Sequence, residues 1–421
     1  MQSAYRRHHS IEMTLLRVTS DILRTIDCRQ DIVLVLLDLS AAFDTIDHTI
    51  LVERLESYFG FSKLTLCWFR SYLEIRRQSI IIGDQVSTPC APRYGVPQGS
   101  ILGPLRFTLY ITPPQDVIAL HNLNSLFYAD DTQLYIASDP ANQALSLTAL
   151  RSCIEDVMRW NTQKKKMLRS NAEKTEVILF TSWFTKTPNF EKLSFDNTVI
   201  ELTESVHDLG VNLDKNLSLT YHINEMCKKA TDAIRSVGRI CKYLTKENLK
   251  LLVNALVISC LDYCNSILYG LPKQELDKLR RVQNTAIRLI TGTKQYDHIK
   301  PALWELHWLP VESQIIFKLL LIAFKIIHGL CPAYLPSLLQ QYHPQRSLRS
   351  SSKLLFTVPI VNSVTYTERA FSFSIPILWN SLPDSVKNTT SLSSFKSALK
   401  TLLFRKSYFW FVLFYEELYF N

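Results

Sequence analysis

Three aspartates carry the chemistry from which this sequence is best read. Asp38 closes the apolar run IVLVLLD, and Asp130 and Asp131 sit together in FYADDTQLY. Carboxylates gathered at the ends of rigid strands can hold divalent cations, because magnesium takes oxygen ligands and completes its shell with water. Two such ions, roughly 3.5–4 Å apart, stabilise both the attacking and the departing oxygen of a phosphoryl transfer. A lone aspartate at a strand end is most often a turn or a helix cap, and an Asp-Asp dipeptide is a common turn as well. Here an acid after an apolar strand, the loop GVPQGS and the YADD segment follow one another in order. That combination rarely arises by chance.

The acids need elements that bring them together, since 92 residues separate Asp38 from Asp130. The β-branched run at 32–40 predicts a buried strand, followed by a helix from 45 to about 59. QSIIIGDQVSTP predicts a hairpin around Gly83-Asp84, and RYGVPQGS a glycine and proline loop leading into a helix that must end near Pro113-Pro114. Residues 125–136 predict a second hairpin, displaying Asp130 and Asp131 at its tip. Adjacent strands of one sheet would then make the three carboxylates converge. Helices are expected at 11–27 and 144–162, a strand at 176–180 and a hairpin arm at 208–214. From about 220 the pattern changes to long helices, with boundaries near 215–220 and 345–353 and no internal repeat.

Composition fits this reading. Apolar residues make up 47% of the 421, enough for more than one core, and only 10 are glycine, which argues against a glycine-cradled phosphate loop. Residues 1–150 carry 12 Lys and Arg against 15 Asp and Glu, whereas 151–421 carry 35 against 23. An acidic front half precedes a basic back half, as an acidic metal centre with a basic nucleic-acid grip would look, and as a protein with ordinary surface lysines would also look. The nine cysteines form no zinc-type spacing, and their odd number without a signal-peptide core suggests a reducing intracellular compartment. Lys318 and Lys325 interrupt IIFKLLLIAFKII, so a buried helix is expected there and no membrane span. His8, His9, His48 and His307 lack metal-ligand spacing and read as packing or surface residues. The tail YFWFVLFY, 408–415, is apolar and too short to span a bilayer.

The motifs carry a resemblance. LVLLDLSAAFDTIDH, GVPQGSILGPLRFTLYI, FYADDTQLY, NAEKTEVILF and LGVNLD resemble, in order, the palm motifs of non-LTR (LINE-type) retrotransposon reverse transcriptases of the jockey and chicken-repeat kind. ALVISCLDYCNSILYGLP, LRRVQNTAIRLITG, ELHWLPVESQIIFKLLLIAFKIIHGLCPAYL and RAFSFSIPILWNSLPDSV resemble the region that follows the polymerase in these elements. The resemblance implies an α+β protein. A remnant of the fingers would occupy 1–30, an antiparallel, ferredoxin-like palm 31–215, a helical thumb or connection 216–345 and a C-terminal region 346–421. Because MQSAYRRHHS resembles the middle of the fingers, it also implies N-terminal truncation, with Arg6 and Arg7 as remnants of a triphosphate-binding set and no endonuclease domain.

On the same basis Asp38 and Asp130 would be the main ligands of two Mg²⁺ ions, with Mn²⁺ as a substitute, and Asp131 the third acid. Phe43 would stand under the sugar of the incoming nucleotide and exclude a 2′ hydroxyl; the alternative is a core phenylalanine. Gly95 and Gly99 would let the backbone approach a nucleotide, Pro97 would stiffen the loop, and Gln98 would hydrogen-bond template or nucleotide. Asp44 and Asp47 read as helix-opening acids. Lys174 would protonate or neutralise the departing pyrophosphate, or be a solvated surface lysine. Arg106, at a usually apolar position, is expected on an exposed side of its helix.

One further pattern is independent of the resemblance. At 100° per residue Ile223, Cys227, Ala230, Ile234 and Cys241 share a face. Lys228, Arg235, Arg239 and Lys242 fall within an arc of roughly 60° on another, a row suited to tracking phosphates, with Arg281 and Arg288 extending it from a later helix. Two functions compete: an RNA-directed DNA polymerase with RNA template, DNA primer and dNTPs as partners, working in the nucleus by resemblance, and a catalytically impaired, transposon-derived protein that binds nucleic acid.

Overall fold

The protein, seen here as a computed structural model, is described at residues 2–40, 43–74, 76–96, 99–139, 142–162, 169–170, 174–181, 192–195, 198–343, 354–360, 366 and 368–419, of which 39–40, 161–162, 169–170, 192–195, 198 and 409–419 by backbone alone. It divides into two units: Met1–His9 with Gln30–Val206, and Ser10–Arg29 with His207–Asn421. The first nine residues and the helix that follows, α1 (Ile11–Asp27), therefore fall on different sides of the division.

The first unit is built around one strand. β1 (Asp31–Leu37) lies between β3 (Asp131–Ser138) and β4 (Glu176–Phe180), with β2 (Asn124–Tyr128) outside β3 in a four-stranded sheet of order β2-β3-β1-β4. All three pairings are antiparallel. Val33, Val35 and Leu37 share a core with Leu134, Val177 and Leu179 of the neighbouring strands. That face is covered by Ile118 of a short helix (Pro114–Ala119) and by Leu150, Ile154 and Val157 of the helix Gln143–Thr162. Sheet and helices are thus segregated as in an α+β fold.

A second core lies beside the sheet. It joins Leu51 and Leu55 of α2 (His48–Ser57), Leu66, Phe69 and Leu73 of α3 (Lys63–Glu74), and Phe107, Tyr110 and Ile111 of α4 (Gly103–Ile111). Asp47 caps α2, accepting the N–H groups of Thr49 at 2.8 Å and Ile50 at 3.1 Å, which satisfies donors that a helix start leaves open. Between α3 and α4, Ile81–Ile82 pairs with Gln85–Val86 in the expected hairpin, all four residues exposed.

Arg106 corrects the sequence reading. It is 0% exposed. α4 buries Gly103, Arg106, Phe107, Thr108, Tyr110 and Ile111, so it has hardly any wet face, and the exposed position falls to Leu105. The guanidinium lies 3.5 Å from the centroid of the Tyr72 ring, a cation–π contact. Its three nitrogens have no hydrogen-bond partner among the described residues. Arg54, also buried, is better matched: it donates to the Tyr110 carbonyl and stands 4.2 Å over the Tyr110 ring.

The second unit is helical. Its helix Ile11–Asp27 is tied by Glu12, which accepts from the Ser266 N–H at 3.2 Å and faces Lys318 at 3.3 Å. Helix Thr220–Ile240 buries Ile223, Ala230 and Ile234, and the apolar helix Val311–Ile327 is largely buried, as its sequence suggested. Among the described residues no helix is long and apolar enough to cross a membrane. The tail continues the helix Leu392–Tyr419, bent at Tyr408, whose buried hydroxyl donates to the Trp308 carbonyl at 2.8 Å. The start of the apolar tail therefore packs on its own unit.

Replacing a buried, incompletely paired charge by an apolar side chain of similar volume is often stabilising by about 1–4 kcal/mol. Arg106→Met is accordingly expected to raise the urea midpoint of unfolding; a midpoint clearly below that of the parent would show that the Tyr72 contact outweighs the buried charge.

Candidate active site

Strand register brings Asp38 to the end of the sheet where the acidic turn lies, but the expected convergence of all three carboxylates into one ligand cluster is not seen among the described residues. Leu37 pairs with Thr132, and Leu36 pairs with Glu176. Both ladders stop short of Asp38, which leaves the end of β1 next to Asp131, the first residue of β3, on one side and near Lys174, two residues before β4, on the other, a row along one end of the sheet. Lys174 Nζ stands 3.7 Å from Asp38 Oδ2. That oxygen is buried and makes no hydrogen bond.

Asp130 occupies the turn beside this row. Tyr128 pairs with Asp131, so Ala129 and Asp130 form the two-residue loop of the hairpin. Ala129 has φ +56°. A positive φ at the first loop position marks a turn type in which glycine is usual, and an alanine there costs roughly 1–2 kcal/mol. Burial pushes the Asp130 carboxyl above the ordinary carboxylate range; the residue's own backbone N–H opposes this and nearby Asp38 adds to it. The two carboxylates are therefore close enough to repel.

Sequence reasoning missed two neighbours of this turn. Gln2, 0% exposed, donates from Nε2 to the Ala129 carbonyl at 3.0 Å. Its Oε1 accepts the N–H of Ala129 at 3.0 Å and of Ala4 at 2.9 Å. Tyr5 is 60% exposed, yet burial and the charge of Asp130 raise its phenol, which puts that phenol in electrostatic reach of the acid. Neither residue has a periodicity or spacing signal, since both act through chain segments remote in sequence.

The loop before α4 is bound to the segment after Asp38. Val96 N–H donates to the Phe43 carbonyl at 3.0 Å and Gly95 N–H to the Ile46 carbonyl at 2.8 Å. His48 Nε2 contacts the Gly95 carbonyl at 2.7 Å, as donor. Gly95 has φ +82°, and an added Cβ would stand 3.1 Å from the Asp44 carbonyl oxygen, so its lack of a side chain serves contact with its own chain. Gly99, φ +81°, has open space around it. Pro97 and Gln98 lie outside the described residues. The Phe43 ring, half-buried, stacks on Phe107 with centroids 4.4 Å apart.

As candidate metal ligands, Asp38 and Asp130 are near enough for their charges to interact, and Asp131 follows Asp130 directly in the chain. Among the described residues no three acid, histidine or cysteine side chains form a metal-ligand cluster by themselves. A magnesium ion is commonly held by one or two carboxylates, with water and substrate phosphates completing its shell. The pair Asp38 and Asp130, with an Asp38 oxygen that no hydrogen bond occupies, fits that requirement.

In the helical unit Lys228, Arg235 and Arg239 are exposed opposite the buried residues of helix Thr220–Ile240, whereas Lys242, also exposed, lies past its end in the 3-10 turn Cys241–Tyr243. Arg235 is paired with Asp232 at 3.0 Å, and Lys242 stands over the Tyr243 ring. Arg281 is exposed on the helix Lys273–Thr291. Arg288 is engaged elsewhere: its guanidinium donates to the carbonyls of Lys294 at 3.3 Å and Gln295 at 3.1 Å, fastening the loop after its own helix.

Because the folded value of Asp130 is raised, its ionisation opposes folding. Its contribution is complete below the unfolded value of 3.8 and is lost as pH rises through the folded one. In chelator, Asp130→Asn should match the parent's thermal midpoint at acid pH and exceed it at pH 7 by about 1–3 °C. Equal midpoints at both pH values would show that this carboxyl is not strained by its site.

Residues 1–213 match the family model described as reverse transcriptase (RNA-dependent DNA polymerase). The chain is 26% identical over 325 residues to the probable RNA-directed DNA polymerase from transposon BS of Drosophila melanogaster, covering 75% of this chain and 35% of that protein. It is 25% identical over 304 residues to the RNA-directed DNA polymerase from mobile element jockey of the same fly, covering 70% and 32%. It thus spans about a third of the length of the curated relatives it matches. An apo telomerase structure from Candida tropicalis aligns at a TM-score of 0.35 and 12% identity, over 77% of this chain and 54% of that one. With its family model covering half of its length, this chain belongs to the reverse transcriptase (RNA-dependent DNA polymerase) family.

Proposed function

We propose that this chain is the RNA-directed DNA polymerase of a non-LTR retrotransposon, adding dNTPs to the 3′ hydroxyl of a DNA primer on an RNA template. The observation that carries this reading is the grouping past the end of β1: Lys174 Nζ 3.7 Å from Asp38 Oδ2, Asp130 close enough to feel the charge of Asp38, and Asp131 at the start of the neighbouring strand. When bound, divalent cations supply the positive charge that offsets the charge growing on the attacking hydroxyl and the departing pyrophosphate. Asp38 and Asp130 would hold them, with Asp131 as the third acid. Lys174 presents an ammonium beside Asp38, from which a proton or a neutralising charge can reach the departing pyrophosphate. Phe43, fixed by Phe107, would floor the sugar site and favour deoxynucleotides. The chain's reach in a cell follows from the same reading, with nuclear DNA as the primer's source.

Primer extension on an RNA template with Mg²⁺ tests it. Purified protein is expected to extend the primer, and Asp130→Ala/Asp131→Ala to reduce extension at least about a thousandfold. Extension no greater than that of the double variant would sink the reading.

A second reading, a nucleic-acid-binding protein without turnover, is favoured by the exposed basic row of Lys228, Arg235, Arg239 and Lys242, which does not depend on the acids. If the row contacts phosphates, Arg235→Ala/Arg239→Ala should flatten the slope of log K against log salt by up to about 2. An unchanged slope and affinity would remove these arginines from the interface under either reading.

A further inference from the structure

We propose that Gln2 is a positioning residue for the acidic turn, a carboxamide that holds Ala129 in its left-handed conformation and so sets where Asp130 and Asp131 stand. The inference rests on the polymerase reading for its functional consequence, but its geometry is independent of it. Residues 2–4 run alongside β2 and within one unit with it: Gln2 bridges to Phe127 in parallel, and the Ser3 N–H donates to the Phe127 carbonyl at 2.8 Å. This short segment adds an edge to the sheet and stops where the hairpin turns. There the Gln2 side chain continues the ladder in place of backbone. Its amide gives to the Ala129 carbonyl and takes from the Ala129 N–H, each at 3.0 Å, which is what a neighbouring strand would do.

The orientation of the amide is unambiguous. Two backbone N–H groups, of Ala129 and Ala4, point at Oε1, and an N–H can only donate. Ser3 and Ala4 are buried with Gln2, so water does not compete for these bonds. Ala129, at φ +56°, is the residue that gains from an external restraint, because an alanine is not at home there. Asp130 and Asp131 follow it directly, and a turn that relaxes at Ala129 carries both carboxylates with it. A misplaced ligand or reacting group by about 1 Å is enough to lower a rate about a hundredfold.

Gln2→Met tests this, since methionine keeps the length and the apolar stem and removes all three hydrogen bonds. The Ala129 amide is expected to exchange with solvent at least about tenfold faster, while the amides of Val33–Leu37 exchange as in the parent. Mn²⁺ affinity, read by electron paramagnetic resonance without substrate, should fall about tenfold, and kcat for primer extension about tenfold or more with KM for dNTP within about twofold. Adding Ala129→Gly, which accepts the positive φ unaided, should restore a large part of both; general unfolding would not be rescued in this way. Ala129 protection equal to that of the parent, or faster exchange with Mn²⁺ affinity and kcat unchanged, would overturn the proposal. If the parent itself neither binds Mn²⁺ nor extends a primer, the polymerase reading falls and the functional role of Gln2 falls with it. If the parent does both and Gln2→Met equals it, only the Gln2 proposal fails.

Discussion

The site depends on the register of one buried strand. β1 pairs on both sides, and both ladders end within two residues of Asp38. A slip of one residue on either side would exchange the faces of the sheet. The carboxylate of Asp38 would then point into the core that Val33, Val35 and Leu37 fill, where an unpaired charge is not tolerated. The register that keeps the core apolar is therefore also what brings an acid, a second acid and a lysine to one end of the sheet. Packing and chemistry are specified by the same period of two.

Around this row, backbone rather than side chains does most of the linking. The segment from Phe43 to Asp47 is laced to Tyr94–Val96 by main-chain bonds, and Gly95 has no side chain because the Asp44 backbone stands in its way. The GVPQGS loop is thereby anchored to the segment that leaves Asp38, and Phe43 is anchored to α4 through Phe107. Movement of the loop and movement of the ring cannot be independent.

Much of this was legible in the sequence, and what was not has identifiable causes. The strands at 31–37 and 176–180 and the hairpin with its acids follow from short-range pattern, so their bounds came out nearly right, whereas the helix expected from 45 begins at His48, which makes Asp47 its cap. The nearness of Lys174 to Asp38 needed the register of two strands, which no local pattern encodes. Arg106 was misjudged because charge was taken as a sign of exposure, whereas a helix wedged between two others had an aromatic face to offer it. Arg288 lies on the same helix as Arg281, but periodicity does not tell a free guanidinium from one that fastens a loop. Gln2 was invisible for a related reason: its partner in the turn, Ala129, is more than a hundred residues away, and a carboxamide leaves no signature in composition.

The central position of β1 also has a kinetic side. Leu37 and Thr132 are 95 positions apart, and Leu36 and Glu176 are 140 apart. The hairpin of β2 and β3 closes over two residues and can form in about 1–10 μs, long before either distant pairing. Closing the large loops costs entropy that only the finished sheet repays, so β1 docks late. Asp130 and Asp131 are thus presented early on a local hairpin, and Asp38 joins them only once β1 closes a loop of 95 residues onto β3. A chain in which β1 has not docked has no such centre to offer.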